Sequence, residues 1–306
     1  MCENMKILIT GGAGFIGSFL VNRLADSKHD IVVVDDLSRG KFDNIDKIKK
    51  VSFIKSDICD TVVMDKLIKK NDVVFHLAAL ARVMPSIDDP ELTFHSNING
   101  TEIVARLCSK YEKKLIFTSS REIYGEPLTL PVAEDASYSA RNPYSASKIA
   151  SEKIIESYSF SYHLNYTIIR LTNVYGANDY ERVIPLFINA MNNNKKIYLY
   201  GKKKLIDFVY IDDVVDSLIK IMNSDIENEV FNIGSGKGYS LMDLINLLDK
   251  IIKPSKTDIH IESERTGEIQ RFIADISKAK KILGWSPKTS LENGLKKTVK
   301  WYDHIC

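Results

Sequence analysis

Short apolar runs alternate with amphipathic stretches along the first 170 residues of the chain. The runs KILIT, DIVVVD, DVVFHLA and KLIFTS are rich in β-branched or aromatic residues, and strands that are apolar throughout are typical of a sheet buried on both faces. Between them, residues 15–25, about 64–69 and about 90–109 are amphipathic and indicate helices. Because buried strands separated by helices form parallel sheets, this alternation predicts the α/β class with a doubly wound parallel sheet.

The alternation becomes less regular after the run YTIIRLTNVYG. Three strand-like runs, KKIYLYG, IDFVYIDD and EVFNIG, lie close together, and a helix is predicted near Leu241 to Ile252. No internal repeat or low-complexity linker separates the two parts, so we predict two lobes that share chain segments. The larger domain is assigned residues 1–173 and about 206–235. A smaller α/β C-terminal lobe is assigned about 174–205 and 236–306.

Composition excludes several classes of protein. The 306 residues are 44% hydrophobic and 27% charged, and the net charge of +2 comes from Lys and Arg spread along the chain, so no nucleic-acid partner is expected. The start MCENMKILIT is not a signal peptide, and no run reaches the roughly 18 apolar residues of a membrane span. The four cysteines have neither metal spacing nor a paired framework, which predicts free thiols, no metal site and a cytoplasmic protein: Cys2, Cys59, Cys108 and Cys306.

The segment TGGAGFIG joins the first strand to the first helix. Gly11 permits a tight turn, Gly14 lets the backbone approach a pyrophosphate, and Gly17 lets the helix pack on the strand. The helix N-terminus, at Phe15 and Ile16, then faces the anion. Since strand, loop and helix occur in this order, the segment predicts a dinucleotide-binding domain of the Rossmann type; the competing interpretation is a merely tight βα turn.

The end of the second strand indicates which dinucleotide binds. Asp35 lies about 20 residues beyond the glycines, where a carboxylate can accept both ribose hydroxyls and would repel a 2′-phosphate. This favours NAD over NADP, with Asp36 beside it. The alternative is that Asp35 or Asp36 caps the following turn, and Arg39 would then leave an opening for NADP.

Two further segments are assigned to the cofactor. Asp57 and Ile58 follow the next strand, where they would offer an acceptor and an apolar wall to the adenine; a strand-terminating Asp is the alternative interpretation. The run HLAA places small side chains where the backbone passes the cofactor, and its His76 is expected to pack in the core. The cofactor residues of this run are Leu77, Ala78 and Ala79.

Tyr144 and Lys148 open a helical stretch and stand four residues apart, on one helix face. An ammonium group beside a phenol stabilises the phenolate and lowers the tyrosine pKa from about 10, as a base near neutral pH requires. The spacing alone is common and does not establish a catalytic pair.

The whole set of motifs resembles the extended short-chain dehydrogenase/reductase family, and within it the NAD-dependent nucleotide-sugar epimerases and dehydratases of the UDP-glucose 4-epimerase type. The resemblance extends almost from end to end. It is carried by TGGAGFIGS, Asp35, the DI at 57, HLAAL, SIDDPELTFHSNINGT, SSREIYG, NPYSASK, RLTNVYG, RVIPLF, DFVYIDDVV, FNIGSG and ADISKAKKILGW.

The resemblance implies roles for individual residues. Tyr144 would be the base and acid at a sugar hydroxyl, Lys148 would hold the nicotinamide ribose, and Ser120 would hydrogen-bond the reacting oxygen. Asn97 would lie near the cofactor. A UDP-sugar is the favoured substrate, and a homodimer through the helices at about 90–109 and from 144 is implied. The implied substrate contacts are Arg82, Ser120, Arg121, Asn173, Arg182, Val183 and Arg265.

The segment SSREIYG departs from most 4-epimerases, which have small or neutral residues after the serine. If the strand stays extended, Ser120 and Glu122 point to one side and Arg121 to the other. Glu122 matches a glutamate common in the dehydratases and decarboxylases, as a base or substrate contact. Arg121 stands where such dehydratases have an aspartate; it cannot donate that proton but suits a carboxylate or phosphate. Alternatively, both residues pair with neighbours at the rim.

A second departure lies at YGKKKLIDF, where relatives usually have an arginine before Asp-Phe and this chain has Ile206. Lys202, Lys203 or Lys204 would then have to supply the missing charge, as mobile point charges rather than a fixed fork.

These observations together predict an enzyme, an NAD-dependent 4-epimerase acting on a UDP-hexose or UDP-hexuronate through a transient 4-keto sugar. The first alternative is a nucleotide-sugar 4,6-dehydratase or a UDP-glucuronate decarboxylase, which Glu122 favours. An alternative of another class is a non-catalytic dinucleotide-binding sensor or scaffold.

Overall fold

The computed structural model describes residues 4–45, 48, 50–201, 204–254 and 257–303. Cys2, Cys306, Lys202 and Lys203 lie outside the described residues. The strands are β1 (Lys6–Thr10), β2 (Asp30–Asp35), β3 (Val51–Lys55), β4 (Val73–His76), β5 (Lys114–Ser120), β6 (Tyr166–Leu171), β7 (Asn173–Tyr175), β8 (Ile197–Tyr200), β9 (Leu205–Tyr210), β10 (Glu229–Ile233), β11 (Gly238–Ser240) and β12 (Ile259–Glu262). The α-helices are α1 (Phe15–Ala25), α2 (Thr61–Lys70), α3 (Val83–Asp88), α4 (Pro90–Phe94), α5 (Gly100–Lys110), α6 (Pro143–Tyr162), α7 (Val183–Asn192), α8 (Ile211–Met222), α9 (Leu241–Ile252), α10 (Ser277–Ile282) and α11 (Leu291–Asp303).

A seven-stranded sheet carries the predicted strand runs in the order β10-β6-β5-β4-β1-β2-β3. Strand β1, in the interior of this sheet, is parallel to both neighbours, so that Ile7 lies beside Ile31 of β2 and Val73 of β4. This is the strand order of a doubly wound dinucleotide fold, and the predicted fold class is confirmed. Because the carboxyl ends of parallel strands meet at one edge, the residues that follow β1, β2, β4 and β5 gather there.

One face of the sheet packs on α2 and α5. The strands contribute the buried side chains of Leu8, Val74 and Phe117, and Met64 of α2 and Leu107 of α5 are buried in the same cluster. Burying one such side chain stabilises the fold by about 1.5–3 kcal/mol. The alternation of apolar strands and amphipathic helices in the sequence therefore reflects this two-sided burial.

The later part of the chain forms two small sheets, a three-stranded one in the order β11-β9-β7 and the pair β12-β8. In the pair, Ile259 lies beside Ile197 in parallel register. Trp285 is buried among the helices of this part, and its Nε1 donates to the carbonyl oxygen of Asp213 at 3.0 Å. The run ILGWSP thus anchors the chain after α10.

The chain divides into two compact units with boundaries that differ from the predicted ones. The first unit is Met1–Gly125, Ser137–Arg170 and Val215–Phe231, and the second is Glu126–Ala136, Leu171–Val214 and Asn232–Cys306. Residues 126–136 and 206–214, which the sequence assigned to the first domain, belong to the second unit. The reason is long-range pairing: the Val132 N–H donates to the carbonyl oxygen of Ile273 at 2.8 Å, and β9 pairs with β7 and β11.

The single helix predicted over about 90–109 is instead α4, a π-helical turn at His95–Asn99, and α5. The carbonyl oxygen of Asn97 accepts hydrogen bonds from the hydroxyls of Thr101, at 2.6 Å, and Ser151, at 3.0 Å. These hydroxyls compete with the helical N–H group for the carbonyl, which widens the turn.

Among the described residues, no helix is both long enough and apolar enough to cross a bilayer. The same part of the chain holds no group of three or more His, Cys, Asp or Glu side chains placed to bind a metal ion. Cys59 and Cys108 are free thiols.

Candidate active site

The glycine loop between β1 and α1 is packed too tightly for side chains. A Cβ on Gly11, whose φ is +69°, would lie 2.7 Å from the backbone nitrogen of Ala78, so the loop rests on the chain that leaves β4. A Cβ on Gly17 would lie 2.2 Å from the carbonyl oxygen of Gly11. Gly17 therefore lets α1 close on the loop itself, and not on the strand as the sequence predicted. A Cβ on Gly14 would meet only the Gly11 oxygen, at 3.2 Å, and otherwise open space.

Helix α1 begins at this opening. Its N-cap, Gly14, has extended backbone and offers no side-chain cap, and the first turn carries no acidic residue. The N-terminus at Phe15 and Ile16 therefore keeps the partial positive charge of the helix dipole. A pyrophosphate fits this arrangement.

Asp35 lies at the end of β2, directly beside the glycine loop. Its carboxylate accepts the N–H of Ala13 at 3.0 Å and the N–H of Leu37 at 2.9 Å. Burial raises the pKa of Asp35, and these two backbone hydrogen bonds oppose the rise. Asp36, in contrast, is exposed and accepts the N–H and hydroxyl of Ser38. Both residues cap the turn, as the alternative interpretation held, but only Asp35 also contacts the loop.

The residues after β3 have separate local roles. The Asp57 carboxylate accepts the N–H of Cys59 at 2.8 Å and is exposed. The side chain of Ile58 is buried in the core, where a Cβ on Gly100 of α5 would lie 2.4 Å from its Cδ1. Ile58, the side chain predicted to form an apolar wall for the adenine, therefore packs on α5.

The chain that leaves β4 is fixed by Thr10 at the end of β1. The N–H of Leu77 donates to the Thr10 carbonyl oxygen and that of Ala78 to its hydroxyl, both at 3.2 Å, and Ala79 follows half-buried. His76 is buried between the hydroxyls of Thr10 and Thr101, at 2.8 and 3.1 Å. Burial, with a smaller effect of Lys148, lowers the pKa of His76 to about 3. His76 is therefore a neutral core residue, as expected.

Helix α6 begins with a capping box in which the side chain of Asn142 accepts the N–H of Ser145. Tyr144 is buried, and its N–H donates to the Ser86 hydroxyl at 3.1 Å. Lys148 is also buried; its Nζ donates to the carbonyl oxygen of Thr118 at 2.8 Å. Burial lowers the pKa of Lys148 to about 7, and the charge of Glu152 opposes this effect.

Strand β5 ends at Ser120, and a 3₁₀ turn, Arg121–Tyr124, follows it. The segment SSREIYG therefore does not stay extended, since the Ser120 hydroxyl accepts the N–H of Glu122 at 3.2 Å and closes the turn. Nη2 of Arg121 lies 2.9 Å from Oε1 of Glu122, with both side chains nearly buried. The other oxygen, Oε2 of Glu122, is buried without a hydrogen-bond partner among the described residues. Arg121 and Glu122 thus pair with each other.

Asn97 connects the segment after β4 to the helix of the Tyr–Lys pair. Its Oδ1 accepts the N–H of Leu80 at 2.8 Å, and its Nδ2 donates to the Leu80 carbonyl oxygen at 3.2 Å and to the Ser147 hydroxyl at 2.9 Å. Arg82, two residues further on, is the N-cap residue of α3. The predicted catalytic residues and the predicted cofactor residues all belong to the first unit.

The remaining predicted substrate residues lie in the second unit. Nδ2 of Asn173 donates to the carbonyl oxygen of Asp207 at 3.4 Å. Arg182 is the N-cap residue of α7, which starts at Val183, and its Nη1 lies 3.2 Å from Oδ1 of Asp179.

Arg265 lies in a second cluster of that unit. Its guanidinium carbon stacks 3.7 Å from the centre of the Tyr200 ring, and its Nη1 is 3.8 Å from Oε1 of Glu268. Lys204 forms an ion pair with the same glutamate. Lys204 is the one lysine of the KKK run among the described residues, and it shares Glu268 with Arg265. Ile206 lies beside Tyr239 in the register of β9 and β11.

Sequence reasoning did not identify the residues that form hydrogen bonds with the predicted site residues. Ser86, Thr118 and Ser147 contact Tyr144, Lys148 and Asn97 through hydrogen bonds that only the tertiary fold creates. A detectable signal did exist for two others: Glu152 on the buried face of α6, and Arg170 within the apolar run YTIIRL.

The strand order, the open glycine loop and the buried Tyr–Lys helix define a dinucleotide-binding protein of the Rossmann type. A family profile described as "NAD dependent epimerase/dehydratase family" matches residues 7–234, and the chain belongs to this family. Its cofactor is NAD, and the open side of Gly14, the uncapped start of α1 and the buried Asp35 fit that group.

Individual relatives support the same assignment. UDP-glucose 4-epimerase of Mycolicibacterium smegmatis is 33% identical over 312 residues, with 97% of this chain and 98% of the relative covered. The structure of UDP-glucose 4-epimerase from Thermotoga maritima with UDP-glucose superimposes with a TM-score of 0.93 at 35% identity, covering 98% and 99% of the chains. The UDP-glucuronic acid 4-epimerase of Bacillus cereus, solved with UDP-glucuronic acid and NAD, gives 0.94 at 30% identity and 99% and 100% coverage.

The relatives also include dTDP-glucose 4,6-dehydratases and a UDP-N-acetyl-alpha-D-glucosaminuronate decarboxylase. This chain is therefore an enzyme of a family that contains epimerases, dehydratases and decarboxylases.

Proposed function

We propose that this enzyme is a nucleotide-sugar 4-epimerase that acts on a UDP-hexose or UDP-hexuronate through a bound 4-keto sugar. The observation that supports it most is that Tyr144 and Lys148 are both buried on α6, with Lys148 bonded to the Thr118 carbonyl oxygen of the strand that ends at Ser120. UDP-sugar 4-epimerases are among the relatives that match almost the full length of the chain, as are dehydratases and a decarboxylase.

The proposed chemistry starts at the 4-hydroxyl of the sugar. Tyr144 takes the proton of that hydroxyl and later returns it, and Ser120 donates a hydrogen bond to the same oxygen. The Lys148 ammonium stabilises the tyrosine phenolate by its charge. NAD supplies a hydride acceptor at the start and a hydride donor at the end of each turnover.

The proposed cofactor residues are the ones placed around the loop. Gly11, Gly14, Phe15, Ile16 and Gly17 would hold the pyrophosphate. Asp35 would accept the ribose hydroxyls, and Asp36, Asp57, Ile58, Leu77, Ala78, Ala79 and Asn97 would contact the rest of the dinucleotide.

Asp35→Ala tests this placement. We expect NAD affinity to fall at least about tenfold, since two charge-assisted hydrogen bonds to the ribose are lost, and the preference for NAD over NADP to decrease. A fluorescence titration with both cofactors measures the change, with Asp30→Ala, an exposed carboxylate at the other end of the same strand, as the control. Tighter binding of NADP than of NAD by the unmodified protein would contradict the assignment.

The proposed substrate residues come from both units. Arg82 and Arg121 belong to the first, and Asn173, Arg182, Val183 and Arg265 to the second. Arg265 is supported by its fixed position on Tyr200, because a guanidinium held flat offers a preformed fork to a diphosphate.

A second candidate function, a 4,6-dehydratase or decarboxylase, is favoured by one observation. Glu122 has a buried carboxylate oxygen without a hydrogen-bond partner among the described residues, and an unsatisfied buried acceptor is costly unless a ligand uses it. In a dehydratase this oxygen would remove the ring proton next to the 4-keto group. Its ion pair with Arg121 argues instead for a role as substrate contact, because one oxygen of the carboxylate is already held by the guanidinium.

Proton NMR in heavy water separates the two candidates. The purified protein is incubated with NAD and a panel of UDP- and GDP-sugars. Interconversion of two sugars without deuterium uptake is the expected result for a 4-epimerase. A new methyl signal that carries solvent deuterium would instead identify a dehydratase, and no change in UDP-glucose, UDP-galactose or UDP-glucuronate would count against the epimerase proposal.

We also propose a homodimer, which stays a prediction, as does the cytoplasmic location. It is supported by apolar side chains that α4 and α6 expose, among them Leu92 and Phe160, exposed by 49% and 91%, since exposed apolar patches mark interaction sites. Light scattering that gave the mass of one 34.7 kDa chain would refute the dimer.

A further inference from the structure

A buried arginine lies behind the Tyr–Lys helix, at a position that the proposed reaction does not use. Arg170 of β6 donates to Oε1 and Oε2 of Glu152 from Nε and Nη2, at 3.1 and 2.8 Å. The same guanidinium donates to the hydroxyl of Tyr124 at 2.7 Å and to that of Tyr138 at 2.6 Å. Arg170 and Glu152 are 2% and 0% exposed, and Tyr124 is buried as well. Tyr138 is half-buried, and its hydroxyl also donates to Oε2 of Glu152 at 3.1 Å, so four polar side chains form one hydrogen-bonded network.

The network connects three segments through one guanidinium. Glu152 belongs to α6, one turn beyond Lys148 on the same buried face. Tyr124 is the last residue of the 3₁₀ turn that starts directly after Ser120. The guanidinium carbon lies 5.1 Å from the ring centres of both Tyr124 and Tyr138, so cation–π attraction adds to the hydrogen bonds.

The charges in this region alternate. The Lys148 ammonium, the Glu152 carboxylate and the Arg170 guanidinium follow one another away from the candidate catalytic tyrosine. Removing one member of a buried charge pair leaves the other uncompensated. Loss of Arg170 would therefore leave the Glu152 carboxylate buried without its partner.

We propose that Arg170 and Glu152 are positioning residues that fix the turn after Ser120 against helix α6 and supply the negative charge that faces Lys148. The proposal rests on the proposed function, since it assigns the network to the same proton-transfer group. Arg170 touches neither substrate nor cofactor in this assignment; it acts through Glu152 and Tyr124.

A matched pair of variants separates positioning from mere support of the fold. Tyr124→Phe and Tyr138→Phe each remove one hydroxyl that accepts a hydrogen bond from Arg170, but only Tyr124 lies in the turn that follows Ser120. The Tyr138 hydroxyl also donates to Oε2 of Glu152, an oxygen that Arg170 still holds without it. We expect a loss in Tm for both variants, and the larger one for the buried Tyr124. Tyr124→Phe should lower kcat about five- to twentyfold with KM nearly unchanged, because small displacements of aligned groups reduce rates strongly, and Tyr138→Phe should stay within about twofold of wild type. Equal kcat values in the two variants would overturn the positioning role.

Glu152→Gln tests the charge and needs no turnover. The groups around Lys148 are Tyr144 and Glu152 on its own helix, His76 on β4, the Phe117 ring on β5 and, beyond Glu152, Arg170 on β6. His76 stays neutral above pH 5 because its pKa is about 3. Without the carboxylate, the remaining positive charge of Arg170 disfavours the ammonium, so the pKa of Lys148 should fall further below 7.

The titration is followed by NMR of protein labelled at the lysine Cε, with the signal of Lys148 identified by its loss in Lys148→Met. A midpoint at least half a pH unit lower in Glu152→Gln is expected, together with an equal shift of the alkaline limb of kcat to lower pH. An unchanged midpoint would refute the charge role. If Glu152→Gln does not fold, the comparison of kcat between Tyr124→Phe and Tyr138→Phe tests the positioning role. A wild-type protein inactive on every sugar would contradict the proposed function, while the NMR midpoint would still judge this inference.

Discussion

The Tyr144→Phe variant is expected to lose about three orders of magnitude in kcat while it still binds NAD. A positioned acid–base group contributes about 10²- to 10⁴-fold to a rate, and phenylalanine keeps the ring but has no proton to exchange. The ring itself is buried at the start of α6, and its backbone N–H bond to Ser86 is independent of the hydroxyl, so folding should be little affected. Turnover of the wild-type sugar pair by coupled assay or NMR measures the loss.

Tyr162→Phe is the matched control, because Tyr162 ends the same helix and is 64% exposed. It should keep full activity. A fully active Tyr144→Phe protein would contradict the proposed catalytic role and revive the interpretation as a non-catalytic dinucleotide-binding protein. Activity retained at about a tenth of wild type would instead point to another acid in the site, for which Glu122, two residues after Ser120, is the candidate.

The first βαβ unit was predicted to the residue because its boundaries are marked by local chemistry. The strand KILIT ends where TGGAGFIG begins, and DIVVVD ends at Asp35, so strands β1 and β2 and helix α1 begin and end where the sequence indicated. Glycines with a required φ and a carboxylate at a strand end are signals of two or three residues. No distant part of the chain is needed to interpret them.

The π-helical turn within about 90–109 was not predictable in the same way. One of the two hydroxyls on the Asn97 carbonyl oxygen is that of Ser151, which reaches it from a helix 54 residues further along the chain. The apolar period of the segment is nearly unchanged by one wide turn, so periodicity indicates a continuous helix. What the sequence missed is therefore the contact that places Asn97 between Leu80 and Ser147.

The turn after Ser120 is a case in which a local signal was available and misinterpreted. Serine at a strand end often accepts the N–H two residues later and so starts a turn, and this is the observed bond to Glu122. The directions of Arg121 and Glu122 were considered only for an extended strand, in which the two side chains point to opposite sides. In the turn they meet, and the ion pair between them uses the guanidinium that a carboxylate or phosphate of a substrate was expected to occupy.

Replacement of Lys148 by Met is expected to change activity and stability in opposite directions. Without the ammonium, the Tyr144 phenolate loses its neighbouring charge and the nicotinamide ribose loses a proposed contact, so kcat should fall about 100-fold or more. The apo protein, in contrast, should lose a pH-dependent penalty. The pKa of Lys148 is lowered by burial from 10.5 to about 7, so folding is opposed whenever the lysine would be charged in the unfolded chain.

Proton binding by the folded and unfolded states decides whether stability rises or falls with pH. Between about pH 7 and pH 10.5 the unfolded chain holds a proton on Lys148 that the folded protein does not, so wild-type stability rises with pH across this window. Below pH 7 both states are protonated and the full penalty applies, on the order of 4–5 kcal/mol if the shift is converted directly. The lost hydrogen bond to the Thr118 carbonyl oxygen costs the variant about 1–3 kcal/mol at every pH.

The difference in unfolding free energy between Lys148→Met and wild type should therefore favour the variant near pH 6.5 and decrease by at least about 2 kcal/mol by pH 9.5. Urea unfolding of the apo proteins at several pH values measures it, and Lys153→Met on the exposed side of the same helix gives the matched pH-independent reference. A constant difference across this range would mean that Lys148 is charged equally in both states. The buried ammonium would then have to be compensated more fully than its bond to Thr118 and the charge of Glu152 allow.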